Sequence, residues 1–257
     1  MFSSIKRLDN AYKKAKIIEF DDSSKFILFS DCHRGDNSFA DDFANNSNIY
    51  YHALRNYYEK DFTYIELGDG IELWENLFFN EVFEAHKNDF LLMRKFHLKN
   101  RLHMIWGNHD MTLKSEKKST KLLDSYFDKI TGTDKDLLKG LIFNEGIVLE
   151  PEGFNKNILL IHGHQADFYN YVLWKWSRFL VRILWKPLQV VGIKDPASPA
   201  KNYKELIKIT LSIIINLIVW NFIFVMIANI YSKFGKGILY ICIIPFFSSI
   251  LSKIFLK

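Results

Sequence analysis

Phe26-Ile27-Leu28-Phe29-Ser30-Asp31-Cys32-His33-Arg34-Gly35-Asp36 is the stretch from which the fold is read. Four apolar residues suit a short buried strand, and the chain then turns polar, with an acid, an imidazole and a glycine in quick succession. The same grammar recurs. Thr63-Tyr64-Ile65-Glu66-Leu67 runs into Gly68-Asp69-Gly70-Ile71-Glu72, and Leu102-His103-Met104-Ile105-Trp106 into Gly107-Asn108-His109-Asp110. Ile158-Leu159-Leu160-Ile161 runs into His162-Gly163-His164-Gln165-Ala166-Asp167. Between these strands the spacing predicts helices over 48–60, after a Ser47 cap, over 81–99, with Val82, Phe83, Phe90, Met93 and Phe96 apolar, and over 120–130. Strands alternating with helices imply an α/β layered fold. In open α/β sheets ligands bind beyond the carboxyl ends of the strands, and here every such end carries Asp, Asn or His.

Those residue types suit metal chemistry. Asp31 and His33 leave a strand two residues apart, so both side chains can point into one cleft; a carboxylate with an imidazole suits Mn, Fe or Zn better than Ca or Mg. Asp69 offers two oxygens that can bridge two cations, Asn108 a neutral carbonyl oxygen, and His162 a further imidazole. Two cations about 3.5–4 Å apart would clamp a phosphate and acidify a shared water. Taken singly, each motif has a plain structural reading: Gly-Asp after a strand is a common turn, Gly-Asn-His-Asp can be a turn with Asn in the left-handed region, and a lone histidine can be a satisfied core residue. Their conjunction, in order and each at a strand end, favours the functional one. Cys32 reads as a small hydrophobe pointing away from its neighbours. Asp36 is placed at the mouth of the cleft, and Asp41 and Asp42 read as solvated loop acids.

At this point the chain resembles the calcineurin-like metallophosphoesterases, whose ordered signature is Asp-x-His, Gly-Asp, Gly-Asn-His-Asp/Glu, a separate His, and Gly-His-x-His. Residues 26–170 carry the first four blocks, and the similarity extends to the bacterial branch that includes UDP-2,3-diacylglucosamine pyrophosphohydrolase, which shares the His-Gly block after the fourth strand. The resemblance implies an αββα sandwich and two divalent metal ions, Mn2+ first with Fe or Zn as alternatives. It implies hydrolysis of a phosphomonoester, phosphodiester or pyrophosphate by a hydroxide bridging the metals. Asp31 and His33 would then ligate the first metal, Asp69 would bridge, and Asn108 and His162 would ligate the second. His109 would stand at the leaving oxygen as general acid or positive charge, with Glu72 orienting its ring. The fifth block is missing, because residues 168–257 contain no histidine, so the sandwich reads as C-terminally incomplete. His164 is the spare candidate, as a metal ligand, a supporting group or a substrate contact. A catalytically impaired phosphoesterase and a membrane-anchored phosphate-binding protein stay open as alternatives.

Where the fifth block belongs lies an apolar tail. Ile209 to Tyr231 is uncharged, longer than the ~20 residues a spanning helix needs, and Ile238 to Ser252 follows as a shorter apolar run with Pro245. Residues 1–200 read as a metallophosphoesterase domain, with 170–200 a basic aromatic cap, and 201–257 as either a membrane anchor or a frame-shifted product. The formal charge is +5, but Leu206–Lys257 holds five lysines and no acid. Removing these five from the 34 basic residues leaves 29, equal to the 29 acids, so the body is neutral and no specific nucleic-acid binding is expected. Two cysteines, Cys32 and Cys242, exclude a disulfide framework and suit the cytoplasm, or the cytoplasmic face of a membrane. From Tyr171 to Val191, Trp174, Trp176, Phe179, Leu180, Ile183, Leu184 and Leu188 interleave with Lys175, Arg178, Arg182 and Lys186. The favoured reading is a capping helix that lays its apolar face on the core and leaves its cations solvated; contact with a membrane, through 171–191 and 209–252, is the alternative. The substrate class is a phosphorylated small molecule, a nucleotide or a lipid-linked phosphate.

Overall fold

The computed structural model describes residues 3–153 and 156–186. The chain divides into units at Met1–Ile193 and Lys194–Lys257, and every described residue belongs to the first. The expected tail at 201–257, with its runs at 209–252, and the outer end of the 171–191 segment lie outside the described residues. Among the described residues no helix is long and apolar enough to cross a membrane.

In chain order the elements are α1 (Ser4–Lys13), β1 (Lys16–Phe20), β2 (Phe26–Phe29), α2 (Ser47–Glu59), β3 (Thr63–Leu67), α3 (Phe79–Ala85), α4 (Lys87–Leu98) and β4 (Leu102–Ile105). There follow α5 (Glu116–Leu123), β5 (Ser125–Asp128), β6 (Thr133–Asp136), β7 (Phe143–Asn144), β8 (Ile147–Pro151), β9 (Ile158–Leu160), α6 (Phe168–Tyr171) and α7 (Trp174–Leu180). The fold is mixed α/β. One sheet is parallel in the order β2-β3-β4-β7, and a second runs β1-β8-β9, with β9 antiparallel to β8.

The period-two alternation of β3 and β4 builds two cores. Tyr64, Leu102 and Met104 join a large cluster with Leu54 of α2, Val82 and Phe83 of α3, and Phe90, Met93 and Phe96 of α4. Ile65 and Ile105 turn the other way and meet Ile147 and Leu149 of β8, with Ile18 and Leu160 packed alongside. Helices therefore cover one face of the parallel sheet and the second sheet covers the other. Each such large side chain removed from water stabilises the fold by roughly 1.5–3 kcal/mol, so sheet position is decided by burial on both faces.

Three local expectations are corrected. The helix expected over 81–99 is two helices, because the His86 ring is held by Asp41, with Nε2 2.7 Å from Oδ2, and the chain turns there. The helix expected over 120–130 ends at Leu123, and Ser125–Asp128 pairs with Thr133–Asp136 as a hairpin. Its turn is tied by the Asp128 carboxylate, which accepts from the Ile130 amide and from Thr131 and Lys135. Ser47 is the first helical residue rather than a cap: the capping position is Asn46, without a side-chain cap hydrogen bond, and Ser47 Oγ donates to Ala44 O. The run at 158–161 supplies β9, which pairs antiparallel with β8 in the second sheet.

Candidate metal centre

Where β2 and β3 end, their loops keep running side by side. Asp31 N donates to Gly68 O, His33 N to Asp69 O, Arg34 N to Gly70 O, and Glu72 N to Arg34 O, at 2.8–3.2 Å. Three of these residues have left-handed backbones: Asp31 at φ 55°, His33 at φ 48° and Asp69 at φ 51°. A non-glycine residue held there costs on the order of 1 kcal/mol, a strain that gathers at functional sites. The adjoining glycines leave no room for a side chain: a Cβ on Gly68 would lie 2.7 Å from His162 Cγ, and one on Gly107 2.1 Å from Asp69 Oδ1. Asp110, fully buried, ties the β4 loop to the β3 loop by accepting from Gly107 N at 2.6 Å and Gly70 N at 3.0 Å.

Asp31, His33, Asp69, Asn108, His109 and His162 meet in one pocket. Ligand-type atoms of Asp31, Asp69 and His162 lie within 4.8 Å of one another, and so do those of His33, Asp69 and His109. Asp69 belongs to both groups. His162 arrives from the second sheet, beyond β9. Its Nδ1 donates to Leu67 O at 2.9 Å, which leaves Nε2 aimed at Asp69 Oδ2, 3.1 Å away, and Asn108 Oδ1, 3.2 Å away. His33 uses Nδ1 to donate to Glu72 Oε2 at 2.8 Å, leaving Nε2 3.8 Å from Asp69 Oδ2. His109 donates from Nδ1 to the same Glu72 oxygen at 2.6 Å, stacks on Trp74 at 4.3 Å, and meets the His33 ring edge-on at 4.5 Å. The other Glu72 oxygen accepts from the amides of Trp74 and Glu75. One carboxylate thus orients two imidazoles and is itself fixed by backbone.

The electrostatics follow from this crowding of acids and imidazoles. Burial pushes Glu72 up, but the charge and hydrogen bonds of His109 and His33 outweigh it and hold the carboxyl at about 2. Burial works against a charged His33, yet the bond and charge of Glu72, with Asp69 and Asp31, raise it to about 9. The same opposition lowers Asp69, through His162, His109 and His33, and raises His162, through Asp69.

A divalent cation fits this donor set. With Nδ1 of His162 spent on a carbonyl, Nε2 and the two oxygens facing it present converging lone pairs, which only a proton or a cation reconciles. Oxygen and nitrogen ligands about 2.1 Å from an ion stand about 3 Å apart, close to the spacing here. The remaining nitrogens of His33 and His162 hold a carboxylate and a carbonyl, the supporting partners that metal-bound histidines require.

Other expected residues lie elsewhere. His164 is buried with neither ring nitrogen hydrogen-bonded, its ring between Trp106 and Tyr171, and it belongs to neither ligand group. Burial, then the charge of His162, pushes it down to about 3. Cys32 packs against the main core, and burial pushes its thiol up to about 12. Asp41, expected in solvent, is buried: it accepts from His86 and from the amides of Asn37, Phe43 and Ala44. Asp42 is exposed.

Sequence reasoning missed several supporting groups. Arg34 is fully buried, donating to Glu66 Oε1 at 2.6 Å, Gly70 O at 2.8 Å and Tyr50 OH at 2.5 Å. A basic residue beside the Asp31 and His33 block, followed by glycine, was the one signal available for it. Arg182 donates to the carbonyls of Trp74 and Leu73, and Lys186 to Asp36 and Asn76, so the cap segment is fastened to the loop that carries Glu72. Trp74 had no signal beyond lying two residues past Glu72.

Comparison of the chain with family models, curated proteins and solved structures finds no match.

Proposed function

We propose that this pocket binds two divalent cations, Mn2+ first, and hydrolyses a phosphoester. The observation that carries the reading is the sharing of Asp69 between two ligand groups, with His33 and His162 each turned toward it by a partner on the far ring nitrogen. The helical layer over one sheet and the second sheet beneath it support reading the described part as an αββα sandwich. Asp69 would serve both cations, with His33 at one and Asn108 and His162 at the other; Asp31, expected beside His33, groups here with Asp69 and His162. Once bound, two such cations would supply Lewis acidity to the phosphoryl oxygens and acidify a water for attack.

The protein's own groups do the rest. Because Nδ1–H of His109 donates to Glu72, the neutral ring presents a lone pair at Nε2, and the ring protonated at both nitrogens delivers a proton from Nε2 toward the leaving oxygen. Trp74 fixes the plane of that ring and covers one face from water. Glu72 makes the two imidazoles act from one fixed point, the positioning on which phosphoryl transfer chiefly depends.

The test is hydrolysis of bis(p-nitrophenyl) phosphate with added Mn2+. Asp69→Asn is expected to abolish it, while His109→Ala lowers turnover and leaves bound metal, measured by mass spectrometry, nearly unchanged. Full activity in Asp69→Asn would refute the shared-ligand reading.

A further inference from the structure

The segment beginning at Trp174 is arranged opposite to the usual capping helix. Trp174 does pack against the main core, but Trp176, Phe179, Leu180 and Ile183 are 67%, 51%, 50% and 52% exposed. These four positions fall at i, i+3, i+4 and i+7, one face of α7 and of the π-helical turn Val181–Trp185 that continues it. The outward face is therefore apolar, and Trp176 and Phe179 meet edge-on at 6.2 Å upon it. Over the described residues 174–186 this departs from the expectation that the segment lays its apolar residues on the core and leaves its cations in water: Trp174 and Lys175 follow it, and Trp176, Phe179, Leu180, Ile183, Arg182 and Lys186 do not. Arg182 and Lys186 are the reason, because their bonds to Leu73, Trp74, Asn76 and Asp36 lock the helix roll and hold the apolar stripe outward. Leu77 and Phe78, also exposed, extend from the same loop.

We propose that this face docks on the interface of a bilayer containing anionic lipid. Three observations select that occupant. From Phe168 to Lys194 the chain has no acid, while Lys175, Arg178, Arg182, Lys186 and Lys194 are basic. Lys175, exposed beside Trp176, and half-buried Arg178 stand against the Trp174 ring, at 6.0 and 5.4 Å. A second copy laid on the same face would set those cations against their own kind, whereas anionic headgroups neutralise them. Finally, the same chain carries the uncharged run Ile209–Tyr231, the length a bilayer core takes up. Trp and Phe among basic residues are the side chains that settle at the headgroup boundary.

Docking here needs no bound cation and no turnover, so it stands or falls separately from the hydrolase reading. The experiment incubates the full chain, in chelator, with phosphatidylcholine vesicles with or without phosphatidylglycerol, each doped with a photoreactive phospholipid, and maps the crosslinked peptides. Lipid adducts are expected within 174–185, several-fold more abundant on anionic vesicles. They should fall roughly tenfold or more in Phe179→Ser/Ile183→Ser, whose exposed sites leave the core intact. Trp176→Ser alone, less disruptive still, should halve them or better. Adducts confined to 209–252 would overturn the proposal. So would protein–protein crosslinks from 174–185 in place of lipid adducts, which would assign the face to the chain's own tail or to a second copy.

Discussion

Gly107→Ala is the sharpest probe of how Asp69 is held. The glycine has no unusual φ, so alanine brings no backbone strain and the whole effect is steric. Its Cβ would stand 2.1 Å from Asp69 Oδ1, 2.6 Å from Asp69 N and 2.7 Å from Asp69 Cγ. An ordinary C···O contact needs more than 3 Å, and the neighbour is not the loose end of a long side chain. Asp69 is buried, its Oδ1 accepts from His109 N at 2.7 Å, and its carbonyl accepts from His33 N. Overpacking of this kind costs about 1–3 kcal/mol. Breaking a charge-assisted hydrogen bond adds about 1.5–3 kcal/mol. A destabilisation of about 3–5 kcal/mol follows, read as a drop of roughly 1–2 M in the urea midpoint. Affinity for Mn2+, followed by titration calorimetry, should fall by roughly 10–100-fold, because both ligand groups share Asp69. Gly132→Ala is the control: it sits at φ +67° in the β5–β6 turn with nothing within 4 Å of its Cβ. It should cost only the positive φ, about 1 kcal/mol, and leave Mn2+ binding untouched. A Gly107→Ala protein with unchanged stability and unchanged Mn2+ affinity would refute the pinned-carboxylate argument.

Arg34→Met should destabilise by about 3–5 kcal/mol in urea, since it strands Glu66 as an unpaired buried charge, and Arg34→Met/Glu66→Leu should recover most of the loss. No recovery in the double variant would show that the partnership with Gly70 O and Tyr50, not the charge pair, is what matters. Asp89 gives the pH test. Burial raises its carboxyl to about 6, against the pull of Arg34 and His86. The folded state thus holds this proton more tightly than the unfolded chain does. The stabilisation is complete below about pH 3.8 and is lost as pH rises through 6. Asp89→Asn should therefore be more stable than the parent by about 1–3 kcal/mol at pH 7.5 and no more stable at pH 3.5, a difference that thermal melts at the two pH values read directly. Equal gains at both would remove the titration from the explanation.

Much of the site is legible along the chain, and the reason is geometric. In a parallel sheet the residue that follows a strand's last apolar position sits at the carboxyl edge, so Asp31, His33, Asp69, Asn108 and His109 can be located from the runs that precede them. Apolar content and length were enough to find β2, β3 and β4. They were not enough for β1 and β8, whose Lys16, Glu19 and Glu150 dilute the pattern, nor for the hairpin after Leu123, which is made by Asp128 and its donors rather than by apolar spacing.

Tertiary structure decided the rest. His162 follows β9, a strand of the second sheet, and only face-to-face packing of Ile65 and Ile105 on Ile147 and Leu149 carries it beside Asp69. Sequence could pair Glu72 with one imidazole, but its hold on two depends on the turn that brings His33 and His109 edge to edge. Asp41 reads as a surface residue until His86, the partner that offsets its desolvation, is brought to it from elsewhere in the chain, and Arg34 has no role in the sequence until Glu66 is brought to it. The outward apolar face of the cap helix had two readings in sequence, because periodicity shows that a helix has an apolar side and cannot say which side faces the protein. That choice was made by Arg182 and Lys186, through hydrogen bonds to a loop more than a hundred residues away.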